Sequence, residues 1–275
     1  MSTLTRWIAQ KKERWMLNNL RLDGSGNGQF EKIGEWLPGD IFVVGYPKSG
    51  NTWFQNLVAA CLFGADPAVT PDCLIQDMVP DVHYKHFIRR YREHMVFKTH
   101  GLPAPEYRRV VMLTRDVRDV MVSYHRYLQT RAQRPLDFVE MVATGEGLFP
   151  CQWHEHTAAW LENPYDAEMI FVRYEDLLAD PLHCLKRFCA FVGVEREEEE
   201  LTWIGERAAF SKLQKKERRQ GLENWRHDAP FFRRGVAGGY RDEMPAEVLE
   251  VLMENAGPAM EALGYLSDSQ HRAIA

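Results

Sequence analysis

The sequence predicts an α/β fold: a single domain with a central parallel β-sheet flanked by helices on both faces. Three observations predict it. Four short apolar runs, 41–45, 95–99, 109–114 and 169–172, read as strands buried on both faces. Helical periodicity alternates with them, as parallel crossover connections require. Each run ends in polar residues, and ligands of parallel sheets bind beyond the carboxyl ends of the strands.

At 275 residues, 45% hydrophobic and 27% charged, the chain suits one large domain with a sizeable core. It divides into an N-terminal helix and loop (1–40), a motif-bearing core (41–241) and a C-terminal helix and tail (242–275). In 4–22, Leu4, Trp7, Ile8, Trp15, Met16 and Leu20 among basic residues predict a short amphipathic helix packed on the domain. A formal net charge of -5 argues against a nucleic-acid-binding surface. Five scattered cysteines suggest reduced thiols in a cytoplasmic protein. The start of the chain has no secretory pattern, and the apolar run around 57–65 is too short for stable membrane insertion.

The first run leads into a turn built from Gly45, Pro47, Ser49 and Gly50, and then into a helix with Trp53, Phe54, Leu57, Val58 and Leu62 at helical spacing. Strand, glycine-bounded loop and helix together aim backbone N–H groups and a helix N-terminus at a phosphate, so the core is P-loop-like and suited to a nucleotide. The frame Gly45-x4-Gly50-Asn51-Thr52 departs from the P-loop pattern at Asn51, where that pattern has lysine; the loop's lysine is Lys48. A P-loop nucleotide kinase is therefore the weaker reading, because the Lys-Ser/Thr pair for a magnesium nucleotide is broken.

Residues 64–94 lack clean periodicity. The run 95–99 ends in Lys98-Thr99-His100, and 109–114 ends in Arg115-Asp116 and enters a helix over 117–131. The run 169–172 is followed by Arg173-Tyr174-Glu175-Asp176. Further helices are expected over 182–192 and 246–263, separated by a basic, irregular segment at 211–240, and the acidic run 197–200 reads as a helix start. His100 has the imidazole expected of a general base near neutral pH, and Lys98 points to the same side of its strand. Cys151, His154 and His156 lie close together but lack a matching second pair, so no metal is expected. They read instead as a helix start lining a small-molecule pocket, with His156 in reach of its contents.

The string GYPKSGNTW resembles the 5′-phosphosulfate loop of the cytosolic sulfotransferase family, commonly TYPKSGTTW, with Gly45 and Asn51 as the departures. That family transfers a sulfuryl group from 3′-phosphoadenosine 5′-phosphosulfate (PAPS) to a hydroxyl or amine. Five ordered motifs carry the resemblance from about Ile41 to Arg241. It implies that Lys48, Ser49, Gly50, Asn51 and Thr52 hold the donor's phosphosulfate and that His100 is the base of the KTH motif. Lys98 and Lys48 would stabilise charge, and no metal would be needed. RDVRDVMVSYHRY is similar to the family's RNxxDVxVSYYxF, which implies a 3′-phosphate site at Arg115 and Ser123. YEDLLADP resembles YEDMxxxP and implies Tyr174 at the adenine end, with Trp53 and Phe210 stacking on the base. Before Phe210 the family has Thr-Ser, and here Ala208-Ala209. FFRRGVAGGYR resembles FMRKGxxGDWK, so Arg233, Arg234 and Gly235 would close over the 3′-phosphate. The family's dimer motif has lost its Thr-Val pair to Pro245-Ala246, so that dimer mode is not expected. A different class, a protein that binds adenosine bisphosphate without turnover, would have no use for Lys98 and His100. The sequence does not identify the acceptor: 64–94 and 132–155 would shape its pocket, and their aromatics and histidines suit a phenol, alcohol or other small apolar hydroxyl compound, with a carbohydrate or a lipid as the alternatives.

Overall fold

The computed structural model describes residues 30–131, 135–223, 225 and 229–266. The helix expected over 4–22 and the loop after it lie outside the described residues.

Four parallel strands form the central sheet: β2 (Ile41–Gly45), β4 (Val96–Thr99), β5 (Arg109–Thr114) and β6 (Glu168–Arg173), in the order β4-β2-β5-β6. All four coincide with the apolar runs to within a residue at each end. The strands β1 (Phe30–Lys32) and β3 (Phe87–Arg89), not foreseen, pair antiparallel in a separate ribbon. Alternation along each strand decides what covers it. Ile41, Val43, Val111, Leu113 and Val172 pack under α1 (Asn51–Phe63), α7 (Pro181–Val192) and α8 (Glu198–Arg207). Phe42, Val44, Phe97, Val110 and Met112 pack on the other face against Trp36, Tyr107 and Trp160, the last from α5 (Trp153–Glu162). Both faces are therefore covered, as a parallel sheet of continuous apolar strands demands.

The helix α2 (Asp72–Met78) interrupts the segment before β3. The helix α3 (Val117–Arg131) follows β5 and shares a third apolar cluster with α4 (Phe138–Thr144) and α10 (Ala246–Ala262), which also encloses Tyr46. The short α6 (Tyr174–Ala179) continues directly from β6. The acidic run does start a helix, through a reciprocal capping box between Glu197 and Glu200. The segment 211–240 is not irregular throughout: α9 (Phe210–Gln220) occupies its first third. Its charge concealed the helix, because Lys216 serves as a core position beside Leu213. The Lys216 ammonium bonds Asn56 Oδ1 at 2.6 Å and the Thr70 carbonyl at 3.1 Å, and burial pushes it down to about 8.

Candidate functional site

The polar ends of β2, β4 and β5 meet at a cavity of about 600 Å³. The phosphate-type loop forms one end. Beyond Gly45 the chain turns with Lys48 at φ +75° and Gly50 at φ +95°, both in the left-handed region. Gly50 is required there twice over, since a Cβ would also lie 2.7 Å from the Tyr174 ring. Lys48 adopts the same region with a side chain, a strain on the order of 1–3 kcal/mol of the kind that collects at functional sites. Asn51 Nδ2 donates to the Tyr46 carbonyl at 2.8 Å, and the Tyr46 hydroxyl donates to Cys151 O at 2.7 Å, so the turn is fixed from within. The free N–H groups of α1 open towards the cavity as the positive end of a helix dipole. Beside them the buried Ser49 hydroxyl has no partner, but Ser49, unlike its loop neighbours, is not part of the cavity wall.

The Lys48 ammonium stands 4.1 Å from the Phe231 ring centroid and 4.7 Å from that of Tyr127. Burial, helped by the nearby Arg115, pushes it down to about 7. Arg115 donates to the carbonyls of Lys48 and Val236, each at 3.1 Å, and lies 4.0 Å over the Tyr174 ring. Its Asp119 neighbour is 3.9 Å away, because that carboxylate accepts from Gly238 N at 2.7 Å and Tyr240 N at 2.8 Å. Arg115 Nε is buried without a partner. Ser123 lines the same wall from α3, as do Thr52 and Trp53 from α1. Trp53 meets Tyr174 edge-on at 5.5 Å, and its indole donates to Ala208 O at 2.9 Å. Phe210 closes the corner against Gly235, whose φ is +65° and where a Cβ would meet the ring at 2.3 Å.

Arg233 and Arg234 line the cavity, but with partners that the sequence did not suggest. Both reach Glu243, at 2.8 and 2.6 Å, and Arg126 joins them at 2.7 Å. Burial alone would raise the Glu243 carboxyl; the three guanidinium groups instead hold it at about 2.

The other end of the cavity lies where β4 stops. His100 Nδ1 is 2.6 Å from the Gly45 carbonyl, so Nδ1–H donates there and Nε2 keeps its lone pair. Burial, with the charge of Lys98 added, pushes His100 down to about 3, so the ring is neutral at physiological pH. Lys98 lines the cavity, and its ammonium is 2.7 Å from the buried Asp81. His83 stacks parallel to His100 at 5.7 Å and accepts its backbone N–H at 3.0 Å. Neither Asp81 nor His83 belongs to a motif of the sequence. The only local signal is an Asp-x-His spacing inside an aperiodic stretch.

The expectation that His156 reaches the pocket contents is corrected. His156 is fully buried, with Nε2 3.2 Å from the Gly101 carbonyl, and the cavity wall does not include it. It is pinned where Trp160 also donates to Gly101 at 3.0 Å, and so it fixes the turn that follows His100. Among the described residues there is no group of three or more His, Cys, Asp or Glu placed to hold a metal ion, and no helix is long and apolar enough to cross a membrane.

Residues 38–264 match the family model of the sulfotransferase domain. Sulfotransferase 1B1 of Mus musculus is 24% identical over 78% of this chain and 80% of its own length. Sulfotransferase 4A1 of Homo sapiens is 27% identical over 69% and 72%, and the amine sulfotransferase of Oryctolagus cuniculus 26% identical over 77% of each. Among solved structures, mouse sulfotransferase SULT7A1 complexed with PAP superposes with a TM-score of 0.63 at 20% identity, over 84% of this chain and 90% of that one. Retinol dehydratase in a complex with retinol and PAP superposes at 0.60 with 23% identity over 81% of each chain. These two likenesses speak for the fold, and the family model spans most of the sequence: the chain belongs to the sulfotransferase family.

Proposed function

We propose that this sulfotransferase moves a sulfuryl group from PAPS to the hydroxyl, or amine, of a small apolar acceptor, in line and with His100 as general base. The observation that carries the reading is the 2.6 Å contact of His100 Nδ1 with Gly45 O, which joins the KTH strand end to the phosphate loop and leaves Nε2 free. The acceptor oxygen bonds to sulfur as the bond from sulfur to the bridging oxygen breaks. The acceptor proton passes to Nε2, and charge on the departing phosphate is met by Lys48 and the α1 N-terminus. A Lys48 near 7 becomes fully charged when that anion binds beside it. An unpartnered buried group on the cavity wall, Arg115 Nε, suits an oxygen of an anionic donor. The wall beyond His100 carries Tyr84, Tyr124, Leu128 and Phe149, which supports a flat apolar acceptor.

The kinase reading is disfavoured by the same loop, because the residue in the Walker-lysine place is an amide taken up by the Tyr46 carbonyl. The experiment is His100→Ala. Sulfation of 2-naphthol from PAPS should fall by about two to four orders of magnitude, the range of general base catalysis, with adenosine 3′,5′-bisphosphate (PAP) still bound. Undiminished turnover would remove His100 from the mechanism, and a wild-type chain that binds PAP but never turns over would favour the binding protein.

A further inference from the structure

Lys98 lies in the edge strand β4 and His100 directly follows its last residue, the least constrained place in a sheet, and yet both are fixed. The segment that fixes them runs beside β4 as a further parallel bridge. Lys98 N donates to Pro80 O at 2.8 Å and Val82 N to Lys98 O at 3.0 Å, which places Asp81 opposite Lys98. The Asp81 carboxylate has no exposed surface. One oxygen meets Lys98 Nζ at 2.7 Å, and the other accepts the His83 backbone N–H at 2.9 Å. His83 then returns to the strand end, with its Nε2 accepting from His100 N at 3.0 Å and lying 3.3 Å from Thr99 Oγ1. One carboxylate therefore holds both ends of the KTH triplet, the first directly and the last through a stacked imidazole.

Charge explains why the carboxylate stands behind the lysine. The cavity wall carries the cations Lys48, Lys98, Arg115, Arg131, Arg233 and Arg234 against the carboxylates Asp72 and Asp119, a balance that suits an anionic donor. Of the carboxylates on that wall, Asp119 accepts from Gly238 N and Tyr240 N and Asp72 from Glu223 N, whereas Asp81 does not line the cavity at all. Buried behind Lys98, it stabilises a desolvated ammonium and fixes its direction without facing the anion. Lys48, which faces aromatic rings instead, shows what burial does to an amine beside other cations, since it is pushed down to about 7. Burial would raise the Asp81 carboxyl, but the charge and hydrogen bond of Lys98, with the His83 backbone N–H, hold it below the usual range.

We infer that Asp81 is a positioning residue for sulfuryl transfer, acting through Lys98 on one side and through His83 on His100 on the other; the inference rests on the proposed function. Asp81→Asn keeps the shape and an oxygen for His83 but removes the charge beside Lys98. Turnover of PAPS with 2-naphthol should fall about 10- to 100-fold, the cost of a displaced catalytic group, while PAP affinity stays within about twofold. The double variant Asp81→Asn with Lys98→Gln should lose no more than Lys98→Gln alone, because the carboxylate acts through the lysine. Full turnover in Asp81→Asn, or losses that multiply in the double variant, would overturn the inference. Where thermal melting shows Asp81→Asn unfolded, His83→Phe tests the second arm. It should lower kcat with KM for PAPS unchanged, and wild-type kcat would overturn it. Failure of the wild-type chain to bind PAP or turn over speaks against the proposed function instead. Histidine 15N spectra, which need neither nucleotide nor acceptor, then decide: Asp81→Ala, which also removes the oxygen that accepts from His83, should shift the His100 ring resonances, and unchanged resonances refute the role.

Discussion

A Cβ on Gly45 would lie 2.3 Å from Asn51 Oδ1 and 2.9 Å from Leu113 Cβ. The two departures from the family's loop pattern are thus one feature, in which the Asn51 side chain fills the space that a larger residue at 45 would need. Gly45→Thr alone should cost about 1–3 kcal/mol, the usual cost of overpacking, in urea unfolding. Asn51→Thr added to it should recover most of that loss, and simple additivity of the two would show the positions independent. The residues of this loop were legible because a short contiguous string carries them. Asp81 and Glu243 were not, because each acts on a partner reached only by folding. Asp81 meets Lys98 across the sheet edge, and Glu243 gathers three arginines from two separate elements.

At the scale of elements, the loop 233–240 is held by the helix α3. Asp119 accepts from Gly238 and Tyr240, and Arg115 donates to Val236 from the start of the same turn. Asp119→Ala should therefore weaken PAP binding at least about tenfold by releasing the loop, the scale of losing hydrogen bonds to a charged group. Unchanged affinity by calorimetry would separate that loop from the nucleotide. Glu243→Gln makes the opposite prediction, since it loosens Arg233 and Arg234 from their carboxylate and should tighten PAP binding. With Glu243 held at about 2, its contribution to stability is present above the ordinary carboxylate range and is lost only as pH falls towards about 2. The four strands of the central sheet could be read from their apolar runs and α3 from its periodicity. The helices α2 and α9 could not: the first is only seven residues long, and the second buries a lysine where an apolar residue is expected.

The whole molecule buries neutral histidines around the end of β4. His100 is pushed down to about 3 and His156 to about 4, each chiefly by burial, and His83 is lowered for the same reason. The unfolded chain takes up protons on these groups near the ordinary histidine value of about 6.5 while the folded chain does not, so stability falls as pH drops below that value. Tm should decline steadily from pH 7 to pH 4, and His156→Gln, which has no charge to acquire, should flatten the decline. A Tm independent of pH over that range would mean that the histidines are already charged in the folded state. The parallel sheet covered on both faces brings the loop, the KTH strand end and the Arg115 turn to one cavity, and this convergence was readable from the polar ends of the apolar runs.

The central claim is a nucleotide site that needs no metal, and calorimetric titration of the wild-type chain in EDTA tests it most directly, with PAP in one experiment and ATP in another. Binding of PAP alone, at least about a hundredfold tighter than ATP and hence by about 2.7 kcal/mol or more, is the predicted result. Binding of ATP that appears only when magnesium is restored, with PAP weak throughout, would contradict the account.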